Sequence, residues 1–82
     1  MSRGKGPEPG AFTRSLARLL SNAFDDAFIT QRHLGEMVGM SNQSVSRVLR
    51  GEVVLNVEQL DLICLALGLS IAEVTALADQ QR

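Results

Sequence analysis

From Ala11 onward the apolar residues recur at helical spacing. Phe12, Leu16, Leu19, Leu20, Ala23 and Ala27 share one side of a helical projection, with Arg14, Ser15, Arg18, Asn22, Asp25 and Asp26 on the other, which predicts a first helix over 11–27. Thr30 is placed to cap a second, short helix over 31–38 whose apolar positions are Leu34, Met37 and Val38, and Gly39 ends it. Ser41 caps a third helix over 42–50 with Val45, Val48 and Leu49 facing inward, and Gly51 supplies a left-handed stop. A fourth helix over 57–67 carries the stripe Val57, Leu60, Ile63, Cys64 and Leu67, opened by Asn56 and Gln59 in a pattern like a capping box. Ser70 and Glu73 form an S-x-x-E box for a fifth helix with Ile71, Val74, Leu77 and Ala78 in line. Nothing alternates with the period of a strand, so the pattern predicts an all-α fold of five helices. Leu62 and Leu65 fall beside Glu58 and Asp61, off the stripe of the fourth helix, so either the fifth helix folds over them, the reading favoured by the Ser70 to Glu73 box only a short turn away, or a second subunit does.

The first ten residues, MSRGKGPEPG, hold three Gly and two Pro with no apolar residue after Met1, and read as a flexible basic arm ahead of a domain spanning 11–82. Eighty-two residues at 45% hydrophobic suffice for one core and leave nothing for a second. One cysteine and one histidine allow neither an internal disulfide nor a Cys/His zinc site, so no metal or cofactor is expected. No apolar run approaches the ~20 residues that cross a bilayer, which points away from a membrane and toward the cytoplasm.

A net charge of −1 and a pI near 5.7 hide an asymmetry. Residues 1–50 carry Arg3, Lys5, Arg14, Arg18, Arg32, Arg47 and Arg50 against Glu8, Asp25, Asp26 and Glu36, a balance of +3, while residues 51–82 balance at −4. The span 37–51 is free of acids and includes Arg47 and Arg50, so a local field that attracts phosphate is compatible with a mildly acidic chain.

The informative segment is 31–51, QRHLGEMVGMSNQSVSRVLRG. Two short helices joined by a Gly-containing turn of three residues, set between longer helices, form a helix-turn-helix, whose second helix enters the DNA major groove. Gly35 is small where the two helices must approach, and Gly39 can take the positive φ of the sharp turn. At about 100° per residue, Asn42, Gln43, Ser46, Arg47 and Arg50 form one polar arc on the third helix. Asn and Gln pair with adenine N6/N7, Arg pairs with guanine O6/N7, and Ser reaches several base edges or a phosphate.

On Gln31, Leu34, Gly39, Ser41 to Ser46 and Gly51, the chain resembles the Cro and lambda-repressor-like (Xre) family of phage and prokaryotic regulators over about residues 12–79. The resemblance implies a compact five-helix domain in which Asn42, Gln43, Ser46 and Arg47 face the bases. It places Gln31 and Arg50 at the DNA backbone, with Arg32, Ser41 and Ser44 beside them, and Arg3 and Lys5 are candidate arm contacts. Gly35 stands where the family usually has Ala, a change that loosens an isolated helix by roughly 0.5 to 1 kcal/mol. Arg50 occupies a place that is often polar or acidic.

These readings predict a sequence-specific regulator of double-stranded DNA, foremost a repressor that occupies an operator in a prokaryotic cell. The alternative is a helical protein-interaction module, such as an antitoxin-like partner, that does not bind specific DNA. Salt-sensitive binding to duplex DNA separates the two. Enzyme chemistry has no support: there is no phosphate loop, and no nucleophile stands at a sensible offset from a base. Cys64, on the inner stripe of the fourth helix, reads as a buried inert thiol, His33 as an exposed residue at the start of the second helix, and Met37 and Met40 as core filling. So short a domain leaves no room for a small-molecule effector pocket, and monomer and homodimer both stay open.

Overall fold

A computed structural model describes residues 8–82; Arg3, Lys5 and most of the basic arm lie outside the described residues. Five α-helices follow one another: α1 (Ala11–Ala27), α2 (Gln31–Val38), α3 (Asn42–Leu49), α4 (Val57–Ala66) and α5 (Ile71–Gln81). Four of the five begin at a polar cap whose side chain accepts a backbone N–H of the first turn: Thr30, Ser41, Asn56 and Ser70. α3 and α4 each stop one residue before the expected end, with Arg50 and Leu67 as closing caps and Gly51 and Gly68 following at positive φ.

One core holds the helices together. Leu20, Leu34, Val45, Ile63 and Cys64, one or two from each of α1 to α4, are almost completely enclosed, and Val74 and Ala78 bring in α5. Each fully buried Leu or Ile contributes roughly 1.5 to 3 kcal/mol relative to exposure. α5 lies mainly against α1, where the Arg82 guanidinium sits 5.1 Å over the Phe12 ring. The α2–α3 unit rests on α1 and α4.

Several positions depart from the periodic reading. Met37 and Leu77 are half exposed because each follows a buried residue by three and so lies about 60° past the edge of its helix's buried arc, outside the contact. Val57 stays on the α4 stripe but stands in the first turn, beyond the end of the core, and is exposed. Ser15, expected on the polar side, is buried at 3% exposure, because both α3 and α5 cover α1 and enclose a wider arc than its apolar stripe. Leu65 is 67% exposed and Leu62 is 42% exposed, so α5 does not cover them; it is drawn to α1 instead.

The chain between α3 and α4 crosses the molecule as the apolar run Val53, Val54 and Leu55. With Phe12, Leu16 and Ile71 it borders a half-open apolar cleft of about 430 Å³. The expectation that a domain this short has no room for a ligand pocket is therefore incorrect. No helix among the described residues is long and apolar enough to cross a membrane.

Candidate nucleic-acid interface

The interface is built from the α2–α3 turn outward. Thr30 Oγ1 accepts from the His33 N–H at 3.0 Å and fixes where α2 begins, with His33 itself exposed. At the other end Gly39 adopts φ +72°, and its N–H and that of Met40 both donate to the Gly35 carbonyl. That geometry brings the Met40 carbonyl so close to Gly35 that a β-carbon there would collide with it, and Val45 Cγ2 would be 3.4 Å away. Gly35 is thus required by the approach of the turn to the helix. Ser41 then caps α3, its Oγ accepting the Ser44 N–H at 3.0 Å and donating to Ser44 Oγ at 2.9 Å.

Val45 and Val48 anchor α3 from behind, buried against the core. Two contacts hold its far end to α1. Ser21 Oγ donates to the Leu49 carbonyl at 2.9 Å, and Gly51, at φ +73°, sits against Ala17 and Arg14, its β-position 3.3 Å from Ala17 Cβ. With its inner side fixed in this way, α3 turns Asn42, Gln43, Ser44 and Arg47 outward as exposed side chains, while Ser46 is half buried.

The polar residues are not equally free. Among the described residues Asn42, Gln43 and Arg47 make no side-chain hydrogen bond or ion pair, so their donors and acceptors are available to a ligand. Arg32 stands 3.6 Å from Glu36 in a loose, exposed pair. Gln31 is half buried at the first position of α2. Ser41 uses its hydroxyl hydrogen on Ser44, which leaves the Ser44 O–H as the free donor of the two. Arg50 is held firmly: its Nε donates to Glu52 Oε2 at 2.8 Å, Nη2 to Oε1 at 3.3 Å, and Nη1 to Ser46 Oγ at 2.7 Å. The hydrogen bond to Arg50 keeps the Glu52 carboxyl below the usual carboxylate range, and the same bond raises the Arg50 guanidinium.

Glu52 is the residue at this surface that sequence reasoning missed. It stands one place past the acid-free span, and only the left-handed turn at Gly51 carries it back beside the last turn of α3, where its N–H donates to the Arg47 carbonyl at 3.0 Å. A Gly expected at positive φ between a basic and an acidic residue was the available signal.

A helix-turn-helix family model matches residues 29–74, which takes in α2, the turn, α3, α4 and the first residues of α5. The chain belongs to the helix-turn-helix family, in its Cro and lambda-repressor-like branch. Among solved structures, a crystal structure of the clp gene regulator ClgR from Corynebacterium glutamicum is similar at 32% identity and a TM-score of 0.78, over 94% of this chain and 97% of that one. A second ClgR structure gives 32% identity and a TM-score of 0.79 over 90% and 78%. No curated protein matches. As a helix-turn-helix protein the chain is a DNA-binding regulator of double-stranded DNA and not an enzyme. Its single thiol fits that assignment: Cys64 is buried, and burial, with Asp61 nearby, pushes its pKa up, away from the thiolate that a nucleophile requires.

Proposed function

We propose that this regulator recognises an operator by laying α3 in the major groove, with Asn42, Gln43, Ser46 and Arg47 at base edges. Gln31, Arg32 and Ser44 face phosphates, Ser41 supports Ser44, and Arg50 stands where the helix leaves the groove. The observation that carries this reading is the division of α3: Val45 and Val48 are locked into the core while Asn42, Gln43 and Arg47 are exposed and bonded to nothing else among the described residues. Those three side chains include bidentate partners for adenine and guanine.

Repression of the phage or prokaryotic type is the proposed output. Every helix of residues 8–82 belongs to the reading unit or supports it, so occupying the operator is the effect this unit exerts by itself. Similarity to a protein described as a clp gene regulator supports gene control as the setting.

A homodimer is proposed for the bound state. A helix of eight residues is about 12 Å long and samples only a few base pairs, so one copy reads a short site. Leu62 and Leu65, left uncovered by α5, supply a surface for the second copy.

Selection of bound duplexes from a random pool tests the reading. The recovered motif should be specific, and Arg47→Ala should lose preference at one base pair and about 1 to 3 kcal/mol of operator affinity. An unchanged motif and affinity would refute base reading by Arg47.

A further inference from the structure

The two arginines of α3 and its cap are in opposite states. Arg47 is free, whereas Arg50 is clamped between a carboxylate and a hydroxyl on the reading side of the helix. A two-pronged guanidinium–carboxylate pair is the geometry in which an exposed ion pair keeps its shape. The clamp is set by the backbone, since the Gly51 turn and the Glu52 N–H bond to the Arg47 carbonyl place residue 52 against the helix end.

We infer that Glu52 is a positioning residue that sets specificity: by holding Arg50 across Ser46 it fixes the Ser46 hydroxyl as a donor toward the DNA and withholds the Arg50 charge from phosphates. The inference rests on the placement of α3 in the major groove proposed above. A serine hydroxyl has one O–H and two lone pairs. With a charged N–H bonded to one lone pair, the O–H is polarised as a donor and directed away from Arg50. In the major groove it then selects an acceptor such as guanine O6 or N7 or thymine O4, and disfavours the amino group of cytosine.

The second effect is electrostatic. An arginine free to meet a phosphate strengthens binding to every duplex alike and steepens the salt dependence by about 0.9 in log–log slope. Pairing Arg50 with Glu52 removes that sequence-independent term and leaves Arg47 to act at a base. The ratio of operator to unrelated DNA rises accordingly.

The experiment compares the parent chain with Glu52→Gln on the selected operator and on a scrambled duplex of equal length, across a salt series, with the bound motif reselected for each. Glu58→Gln, in the first turn of α4, controls for the loss of one negative charge. Glu52→Gln should bind the scrambled duplex at least about 3-fold more tightly with a slope steeper by about 0.9, gain less on the operator, and lose preference at one base pair. Glu58→Gln should leave the motif intact. Ser46→Ala should reduce operator affinity less in the Glu52→Gln background than in the parent, while melting temperatures stay equal. Equal gains on both duplexes with an unchanged motif, or no change in slope, would overturn the role of Glu52. If Arg47→Ala also leaves the motif unchanged, the groove placement itself fails; if Arg47→Ala alters it, only the role of Glu52 does.

Discussion

Gly35 shows how a single residue changes meaning once its surroundings are known. On an isolated helix, replacing Gly with Ala adds roughly 0.5 to 1 kcal/mol of stability. Here the new methyl meets the Met40 carbonyl, a backbone atom that moves only if the turn opens. Overpacking of this kind costs about 1 to 3 kcal/mol and outweighs the propensity gain. Gly35→Ala is therefore expected to lower the denaturation midpoint, read by urea unfolding; a rise would show that the turn yields freely. Cys64 makes a second case at this scale. Its native pKa is raised above the ordinary 9.0, so folding favours the protonated thiol. The resulting stability is complete below the unfolded value and is lost as pH rises above it toward the native value. Unfolding free energy measured from pH 7 to 10 should fall over the alkaline part of that range, and Cys64→Ala should flatten the decline.

At the scale of the element, the caps set where helices begin, and they are unequal. Asn56 and Gln59 bond reciprocally, Asn56 Oδ1 accepting the Gln59 N–H at 2.8 Å and Gln59 Oε1 accepting the Asn56 N–H at 3.2 Å. In the S-x-x-E sequence at the start of α5, Ser70 accepts the Glu73 N–H at 3.3 Å, with no bond back from the Glu73 side chain. The pair that matches the S-x-x-E pattern less closely is thus the complete box. Asn56→Ala is expected to cost about 1 kcal/mol, and Ser70→Ala less, toward the low end of the range for caps. Thermal melts of the two variants test the order, and the reverse order would mean that α5 depends on its cap more than its packing on α1 implies.

For the whole molecule, the uncovered leucines of α4 exclude α5 as their cover and leave a second copy as the proposal to test. Leu65 is mostly exposed, so Leu65→Ala should change monomer stability by no more than about 0.5 kcal/mol, the usual scale for a surface substitution. If a second copy covers it, Leu65→Glu should remain folded by circular dichroism and sediment as a monomer where the parent sediments as a dimer. A parent that stays monomeric on its own operator would refute the dimer. The acids of the second half, apart from Glu52, lie on α4 and α5: Glu58 and Asp61 on the first, Glu73 and Asp79 on the second. With acidic residues on α4 and α5 and Arg47 unpaired on α3, the proposed reading relies on a local field that the net charge of −1 does not reveal.

What the sequence determined by itself was everything governed by neighbours within a turn or two of helix. Helix positions follow from 3.6-residue periodicity and polar caps, the turn from Gly39, and the outward set Asn42, Gln43 and Arg47 from the burial of Val45 and Val48 on the same helix. Tertiary structure decided whatever depends on which helix packs against which. Periodicity defines an apolar side but not its width or its partner, so Met37, Leu77 and Val57 reach solvent, Ser15 is enclosed by α3 and α5, and Leu62 and Leu65 are left uncovered. The pairing of Arg50 with Glu52 belongs to the same class. Two residues apart on an ordinary helix they would face different ways; the positive φ at Gly51 reverses the chain between them and brings charge, hydroxyl and carboxylate together at the end of α3.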